Sequence, residues 1–373
     1  MSRNAHRQID GKWFWLAVAA SLHLVLPLRA ADTNNANTFG TSSRVCEIED
    51  PGAIVKYQPD DDIVRQMVEQ GIAHFTHKDS PADAWRSLVS PADTIGIKVC
   101  SEAGLLSGTR PAVVAAVVQG LLAAGLPPQH LLIWDKHAAE LQAAGFYQLG
   151  RQLGVRVAAC DEEGYDEKSF YAPDTAVIGN LIWGDLEFGQ KGPGIGRKSY
   201  VAKIVSRQLT KIISIAPLLN LEECGVSGHL YSLSLGSVDN TLRFESQPDR
   251  LAEAVPEIYA LPVLGDRVVL NITDALLGQY EGGSRALLHY STVLNQLWFS
   301  RDPVALDTLA IQELQRERQA HAAAVIPSHA DLYNNAVLLQ LGVNDPAQIS
   351  VEKVALPPPG AGGLVRLPTS SDR

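Results

Sequence analysis

Three apolar segments, TIGIKVC (Thr94–Cys100), HLLIWD (His130–Asp135) and VRVAAC (Val155–Cys160), decide the fold of this chain. Each has the length and composition of a buried β-strand. A helix is predicted in each gap, at Pro111–Ala124 and Ala138–Leu153, and a glycine follows each of the two. Because strands that alternate with helices favour a parallel sheet, the first half of the chain predicts a βαβαβ unit.

The rest of the chain alternates less regularly. Short apolar runs in the second half predict further strands at Lys211–Pro217, Arg267–Thr273, Leu294–Ser300 and Ile349–Val354. Periodic apolar positions predict helices at Asp62–His74, Ser199–Leu209, Leu251–Leu264, Pro303–Gln319 and Ala330–Leu341. Together the patterns predict an α/β protein with a mostly parallel β-sheet, helices on both faces and an extended, irregular second half.

The first thirty residues have the layout of a secretory signal peptide. Arg3, Arg7 and Lys12 form a basic start, Trp13–Leu28 is largely apolar, and the small residue Ala30 closes the segment. The apolar part is short for a membrane span. We therefore expect an exported protein, periplasmic or secreted, with an uncleaved N-terminal anchor as the alternative.

The chain is acidic, with a formal net charge of −10 over 373 residues. Loss of the predicted signal peptide removes four basic residues and one acidic residue, which takes the charge to −13. Such a protein is a poor partner for nucleic acids and, after cleavage, for anionic membranes. The predicted organisation is a signal peptide at 1–30, a flexible spacer at 31–44, one α/β domain at 45–356 and a Pro/Gly-rich tail at 357–373.

The four cysteines, Cys46, Cys100, Cys160 and Cys224, include no Cys-x-x-Cys pair. This spacing gives no support to a zinc ribbon, a thioredoxin-like site or an iron–sulfur cluster. Disulfides are permitted outside the cytoplasm, and three full pairings are possible. Buried free thiols are an equally good interpretation.

Lys98, Asp135 and Asp274 occupy positions where chemistry is expected. Lys98 lies in a predicted covered strand, so its amine must meet an anion of a ligand or of the protein itself. Asp135 and Asp274 each stand at the carboxyl end of a predicted strand, where ligands of open α/β sheets collect. The two aspartates could hold a divalent metal or act as acid and base, or each could cap the following turn.

Asp302, Asp307 and His229 carry a second group of predictions. Asp302 precedes a proline, which is typical of a helix N-cap, and Asp307 lies just over one turn later. Both could instead face a metal or a basic substrate at the same sheet edge. His229 lies among small residues that let the backbone approach a ligand, so it is the best general-base candidate in the chain. The alternative is a satisfied core histidine.

A glycine-rich stretch, 184–196, ends beside Arg197 and Lys198. Its spacing fits neither the P-loop nor the dinucleotide-binding fingerprint. The glycines and the two cations lie at the start of the predicted helix Ser199–Leu209, and this arrangement favours an anion-binding site. A surface loop is the alternative interpretation.

From about residue 94 to 354 the chain resembles a family known as domain of unknown function 362. The resemblance rests on the shared order of short pieces: Gly96–Val99, Arg110–Val114, Leu132–Asp135, Ala144–Phe146, Lys211–Ile215, Gly225–Gly236, Asp274–Ala275 and Asp302–Asp307. Some members carry ferredoxin modules. Because this chain lacks their cysteines, iron–sulfur chemistry is not expected here.

Two departures from that family bear on function. The usual Lys-x-His after the fourth strand is replaced by Leu218–Asn220, and the usual Lys-Asn by Tyr231-Ser232. We therefore hold two hypotheses. One is an enzyme for a small anionic organic substrate, in which Lys98 anchors the anion and His229 moves a proton. In that enzyme Asp135 and Asp274 hold a divalent metal or act as catalytic partners. The other is a non-catalytic small-ligand-binding protein with a decayed family site.

Overall fold

The predicted parallel strands lie at the centre of the protein. The computed structural model describes residues 41–173, 177–245, 247–325, 327 and 329–357. Its strands are β1 Ser43–Glu49, β2 Ile54–Val55, β3 Gln58–Pro59, β4 Ile95–Val99, β5 Leu131–Asp135, β6 Arg156–Ala159, β7 Tyr165–Tyr171, β8 Ser199–Ala202, β9 Lys211–Leu221, β10 Gly225–Val226, β11 Val268–Gln279, β12 Ser291–Ser300 and β13 Ile349–Ala355.

The helices lie between these strands. They are α1 Asp61–Thr76, α2 Pro81–Leu88, α3 Gly104–Ser107, α4 Pro111–Ala123, α5 Ala138–Ala143, α6 Phe146–Leu153, α7 Cys160–Glu163, α8 His229–Gly236, α9 Leu242–Glu245, α10 Pro248–Tyr259, α11 Pro303–Ala320 and α12 Ala330–Leu338. Short 3₁₀ turns occur at Pro128–His130, Gly265–Arg267, Leu288–Tyr290 and Pro346–Gln348, and a π-helical segment at Ile204–Gln208.

Nine strands form one mixed sheet in the order β13-β1-β12-β11-β9-β4-β5-β6, with β10 paired to β9. Neighbours from β11 through β9, β4 and β5 to β6 are parallel, as are β13 and β1. Strand β12 runs antiparallel to both β1 and β11. The predicted α/β fold with a mostly parallel sheet is therefore confirmed.

Helices cover both faces of the sheet, as predicted. On β4, Ile95, Ile97 and Val99 belong to a core shared with residues of α1, α2, α4 and α6. Successive residues of a strand face opposite sides, so Gly96 and Lys98 point to the other face. That face forms a second core with residues of α8, α10 and α12. Lys98 thus lies inside a covered sheet.

The βαβαβ prediction is confirmed with one refinement, and one helix prediction is wrong. The predicted helix Ala138–Leu153 divides into α5 and α6 at Gly145, whose φ of +80° is unfavourable for other residues. The predicted helix Ser199–Leu209 begins instead as β8, which pairs antiparallel with β7. Tyr200 and Val201 favour such a strand, and this cross-strand pairing outweighs the helical spacing of the apolar residues.

The beginning of the predicted domain is also corrected. Ser43 and Arg44, which were assigned to the spacer, belong to β1 and pair with Ile349 and Ser350 of β13. The predicted signal peptide 1–30, the spacer before residue 41 and the tail beyond residue 357 lie outside the described residues. Among the residues that are described, no helix is both long and apolar enough to cross a bilayer.

The order of the parallel strands creates a switch point beside β4. The chain moves from β4 outward to β5 and β6, then returns to place β9 on the other side of β4. The connections after β4 and β9 therefore diverge at their carboxyl ends. In open α/β sheets, ligands bind in the crevice that this divergence leaves.

Candidate functional site

A polar cleft lies at this switch point. It has a volume of about 160 Å³ and is bounded by the residues that follow β4 and β5 and by helix α8. Its charged side chains are the bases Lys98 and Lys136, the acids Glu102, Asp135, Glu140 and Glu245, and His137. We refer to this space as the switch-point cleft.

Lys98 and Asp135 form a buried ion pair at the base of the cleft. Lys98 Nζ lies 2.8 Å from Asp135 Oδ1, and the two side chains are only 2% and 7% exposed. Nζ also donates to the carbonyl of Val99 at 2.7 Å and to Ser232 Oγ at 3.2 Å, so all three ammonium donors have partners. The anion that Lys98 requires is thus supplied by the protein.

Asp135 is equally well satisfied. The backbone N–H and the hydroxyl of Ser101 both donate to its Oδ2 at 2.7 Å, and the backbone N–H of Lys136 donates to Oδ1 at 2.8 Å. Burial alone raises the pKa of Asp135, but the charge of Lys98 and these hydrogen bonds hold it below its ordinary value. Asp135 is therefore a fixed negative charge that orders the cleft floor.

Gly236, the last residue of α8, lets this helix approach the ion pair. A Cβ at this position would lie 2.4 Å from Cε and 2.7 Å from Nζ of Lys98. The sequence suggested that small residues here leave room for a ligand. The structure shows that Gly236 instead leaves room for a lysine of the same chain.

We expect Gly236→Ala to lower the free energy of unfolding by about 1–3 kcal/mol, because the new methyl group must push Lys98 away from Asp135. Urea denaturation measures this change. The matched comparison introduces Gly236→Ala into a Lys98→Ala background, where the colliding atoms are gone and the cost should shrink. An equal cost in both backgrounds contradicts the close-approach explanation.

Five charged residues of the cleft were not predicted: Glu102, Lys136, His137, Glu140 and Glu245. Lys136, His137 and Glu140 follow β5 and begin α5, so the sheet-edge rule that singled out Asp135 could have found the first two. Lys136 Nζ donates to Thr241 Oγ1 at 2.6 Å and lies 3.9 Å from Glu245 Oε1. Its charge is therefore directed at α9 and the residues before it.

His137 and Glu140 are two titratable groups of the cleft whose pKa values are raised. His137 Nδ1 lies 3.3 Å from Asp161 Oδ2, and this hydrogen bond raises the pKa of His137. Burial, followed by the negative charge of Asp135, raises the pKa of Glu140 to about 7, against a smaller lowering by His137. A carboxyl group that titrates near neutrality is suited to general acid–base chemistry.

Cys100 and Tyr231, two further polar groups of the cleft, are not activated as nucleophiles. Burial raises the pKa of Cys100 to about 12, so its sulfur is a thiol at neutral pH. Its Sγ lies 3.6 Å from Ser227 Oγ. Burial also raises the pKa of Tyr231 far above its ordinary value, so the phenol keeps its proton. All four cysteines are buried free thiols, which was one of the two interpretations of the sequence; the other was disulfide bonding.

His229 lies in the core and not in the cleft, so its predicted role as a general base is not supported by its position. The side chain is fully buried, with Ser214 Oγ 2.9 Å from Nδ1 and Thr273 Oγ1 3.1 Å from Nε2. Burial lowers its pKa to about 3. The alternative interpretation, a satisfied core histidine, fits this geometry.

Asp274 pairs with Arg110 and not with Asp135. Arg110 Nη1 lies 2.8 Å from Asp274 Oδ1, and the backbone N–H of Arg110 donates to Oδ2 at 2.9 Å. Strands β9 and β4 separate Asp274 from Asp135, which corresponds to about 14 Å at the usual spacing of strands. The predicted metal pair is therefore not brought together.

Asp302 and Asp307 stabilise helix starts. Asp302 is the predicted N-cap of α11 and accepts from the backbone N–H of Ala305 at 2.8 Å. Asp307 accepts from the backbone N–H groups of His229 and Leu230 at 2.7 and 3.0 Å, so it caps α8 from the neighbouring helix. Burial raises the pKa of Asp302 to about 6 and that of Asp307 to about 7, although these N–H bonds lower both.

Arg197 and Lys198 do not form the predicted anion site. The stretch that follows them is β8, so no helix N-terminus is present to bind an anion there. Lys198 Nζ lies 3.9 Å from the ring centroid of Phe170, a cation–π contact. Within the described parts of the chain, no group of three or more His, Cys, Asp or Glu side chains is arranged to hold a metal.

Comparisons with known proteins do not identify the chain. No protein-family profile and no curated protein matches it, so the resemblance to domain of unknown function 362 stays a prediction. A crystal structure from Thermotoga maritima, determined by a structural genomics consortium, aligns with 72% of this chain at 10% identity and a TM-score of 0.38. The alignment spans 61% of that protein's length.

Proposed function

We propose that the switch-point cleft binds a small, positively charged polar molecule and that Glu140 exchanges a proton with it. The observation that carries this proposal is the position of Glu140: a carboxyl group with a pKa of about 7 on the wall of a polar cleft at the switch point of the sheet. In the part of the chain that the structure describes, no hydrogen bond or ion pair from the protein satisfies its carboxylate. A ligand can supply that partner.

The charge balance of the cleft favours a cation. Lys98 is neutralised by Asp135, and Lys136 is directed at Thr241 and Glu245. Glu102 and Glu140 are then the carboxylates left to face a ligand. Their charges attract cations and repel anions, most strongly in a cleft partly screened from water. This is why we replace the predicted small anionic substrate with a small amine as the preferred ligand class.

The chemistry expected of this arrangement is proton transfer. Glu140 takes a proton from the bound molecule or returns one, since its pKa permits both forms near pH 7. Asp161 orients the neighbouring His137 ring through Nδ1, which leaves Nε2 as a second proton-carrying atom. The Lys98–Asp135 pair fixes the floor against which the ligand would rest, because neither charge can move without losing its partner.

The test compares ethylammonium with acetate, two ions of similar size and opposite charge, as ligands of the purified protein. We expect ethylammonium to bind more tightly, and its affinity to increase as the pH is raised from 6 to 8 because Glu140, and in part His137, lose a proton. In Glu140→Gln the affinity at pH 8 should fall by about three- to tenfold. NMR titrations measure the dissociation constants of ethylammonium and acetate, their pH dependence, and the effect of Glu140→Gln.

Glu167→Gln is the matched control, because it removes the same charge from an exposed position of β7. It should leave ethylammonium binding and its pH dependence unchanged. Preferred binding of acetate, or equal losses in both variants, would contradict the proposal. Amines that bind are then followed by mass spectrometry for chemical change. Binding without turnover would favour the non-catalytic ligand-binding protein.

A further inference from the structure

An aromatic side chain stands in solvent on the connection between β7 and β8. Trp183 is 87% exposed, the highest exposure among the large hydrophobic side chains of the described residues. Exposed tryptophan is costly for a soluble protein and is characteristic of surfaces that bind something. Neither the sequence motifs nor the proposed function assigns a role to this residue.

Trp183 is held by an ordered turn. The backbone N–H of Asp185 donates to the carbonyl of Ile182 at 3.1 Å, and the N–H of Ile182 donates to Asp185 Oδ2 at 2.8 Å. Trp183 and Gly184 are the two central residues of this turn, and Gly184 supplies a φ of +105° that other residues adopt with strain. The backbone that carries the indole is thus a four-residue turn closed by two hydrogen bonds.

The turn is fastened to the body of the protein. The backbone N–H of Asn240 donates to Asp185 Oδ1 at 2.9 Å, and that of Leu186 donates to Asp239 Oδ2 at 2.8 Å. Phe188 packs edge-to-face on Trp183, with ring centroids 5.8 Å apart. Because its backbone is already held in one conformation, Trp183 loses little conformational entropy when a ligand covers it.

The same turn meets a residue that supports the wall of the switch-point cleft. A Cβ on Gly184 would lie 3.8 Å from Cβ of Asp161, the residue whose carboxylate holds His137. The anchor of the turn at Asn240 also precedes Thr241, which receives the hydrogen bond of Lys136. The turn that carries Trp183 is therefore connected to His137 through Asp161 and to Lys136 through Asn240 and Thr241.

We propose that Trp183 is a specificity-determining residue of the switch-point cleft, forming an outer wall against which a flat ring of the ligand packs. The inference rests on the proposed function and narrows its ligand class to amines that carry an aromatic or other planar ring. The cationic group faces the carboxylates of the cleft and the ring packs on the indole. Tryptophan is the side chain best suited to both ring stacking and cation–π contact.

The test compares phenethylammonium with ethylammonium, which differ by the ring alone. Dissociation constants of both are measured by NMR titration at pH 8 in the wild-type protein, Trp183→Ala, Leu338→Ala and Glu140→Gln. Leu338 is the matched control, because it is 78% exposed on α12. We expect the preference for the ring-bearing amine to fall about three- to tenfold in Trp183→Ala and to stay unchanged in Leu338→Ala.

The outcomes separate this inference from the function on which it rests. If Glu140→Gln weakens both amines while Trp183→Ala keeps the full ring preference, the inference is overturned and the proposed function stands. A preference that falls equally in Leu338→Ala also overturns it, since the ring then binds apolar surface without regard to site. If neither amine binds the wild-type protein, both proposals fail.

Discussion

Replacing Lys98 with methionine should lower the free energy of unfolding by about 3–5 kcal/mol, because Asp135 would keep a buried charge without its partner. Methionine has nearly the volume of lysine, so little of the loss comes from packing. Asp135 cannot escape by moving, since Ser101 and the backbone of Lys136 hold both of its oxygens. Urea denaturation at pH 7 measures the loss.

A double-mutant cycle isolates the pair from its surroundings. Asp135→Asn should also destabilise the protein, and the Lys98→Met/Asp135→Asn variant should lose less than the sum of the two single variants by at least about 2 kcal/mol. The Lys98→Met loss should also diminish in acid, where Asp135 can be protonated. Additive losses would show that the two charges do not depend on one another.

Lowering the pH from 6.5 to 4.5 should destabilise the wild-type protein by about 2–3 kcal/mol more than a His229→Asn variant. The folded pKa of His229 is about 3, whereas the unfolded histidine titrates near 6.5. The unfolded state therefore binds the proton first. The stabilisation is complete above pH 6.5 and is lost as the pH falls towards 3, at about 1.4 kcal/mol per pH unit.

The difference in stability between wild type and His229→Asn removes the contribution of the other groups that titrate between pH 6.5 and 4.5. Asp307 and Asp302 have raised pKa values, about 7 and about 6, so they oppose the effect of His229, but both remain in the variant. Asparagine keeps a partner for Ser214 in place of Nδ1. His77→Asn is the control, because His77 is exposed and its left-handed φ of 54° suits asparagine. Stability curves of wild type and His229→Asn that run parallel in pH would refute the prediction.

The sheet was predictable because its signals are local. Apolar runs such as Thr94–Cys100 and the glycines that end each helix act over a few residues, so the order of β4, α4 and β5 followed from the sequence. The strand β8 was mistaken for a helix because its pairing with β7 depends on residues about thirty positions away. Distant pairing outweighed the local pattern there.

Sequence reasoning singled out two residues of the candidate cleft and missed most of the others. The rule that ligands collect at the carboxyl ends of strands gave Asp135, and the need of a buried lysine for an anion gave Lys98; both line the cleft. No sequence signal showed that the two would neutralise each other, since that depends on the pairing of β4 with β5, which sets Lys98 opposite Trp134, the residue before Asp135. Glu140 was missed because its raised pKa comes from burial and from Asp135, which only the folded chain supplies.

The pairing of β1 with β13 has a consequence for synthesis. These strands are neighbours although their contacting residues, such as Glu47 and Lys353, are 306 positions apart in the chain. While the ribosome is still adding the intervening residues, β1 lacks both of its partners, because β12 also comes late. Its unpaired edge is then open to other chains, so we expect nascent or C-terminally truncated protein to depend on chaperones and to aggregate.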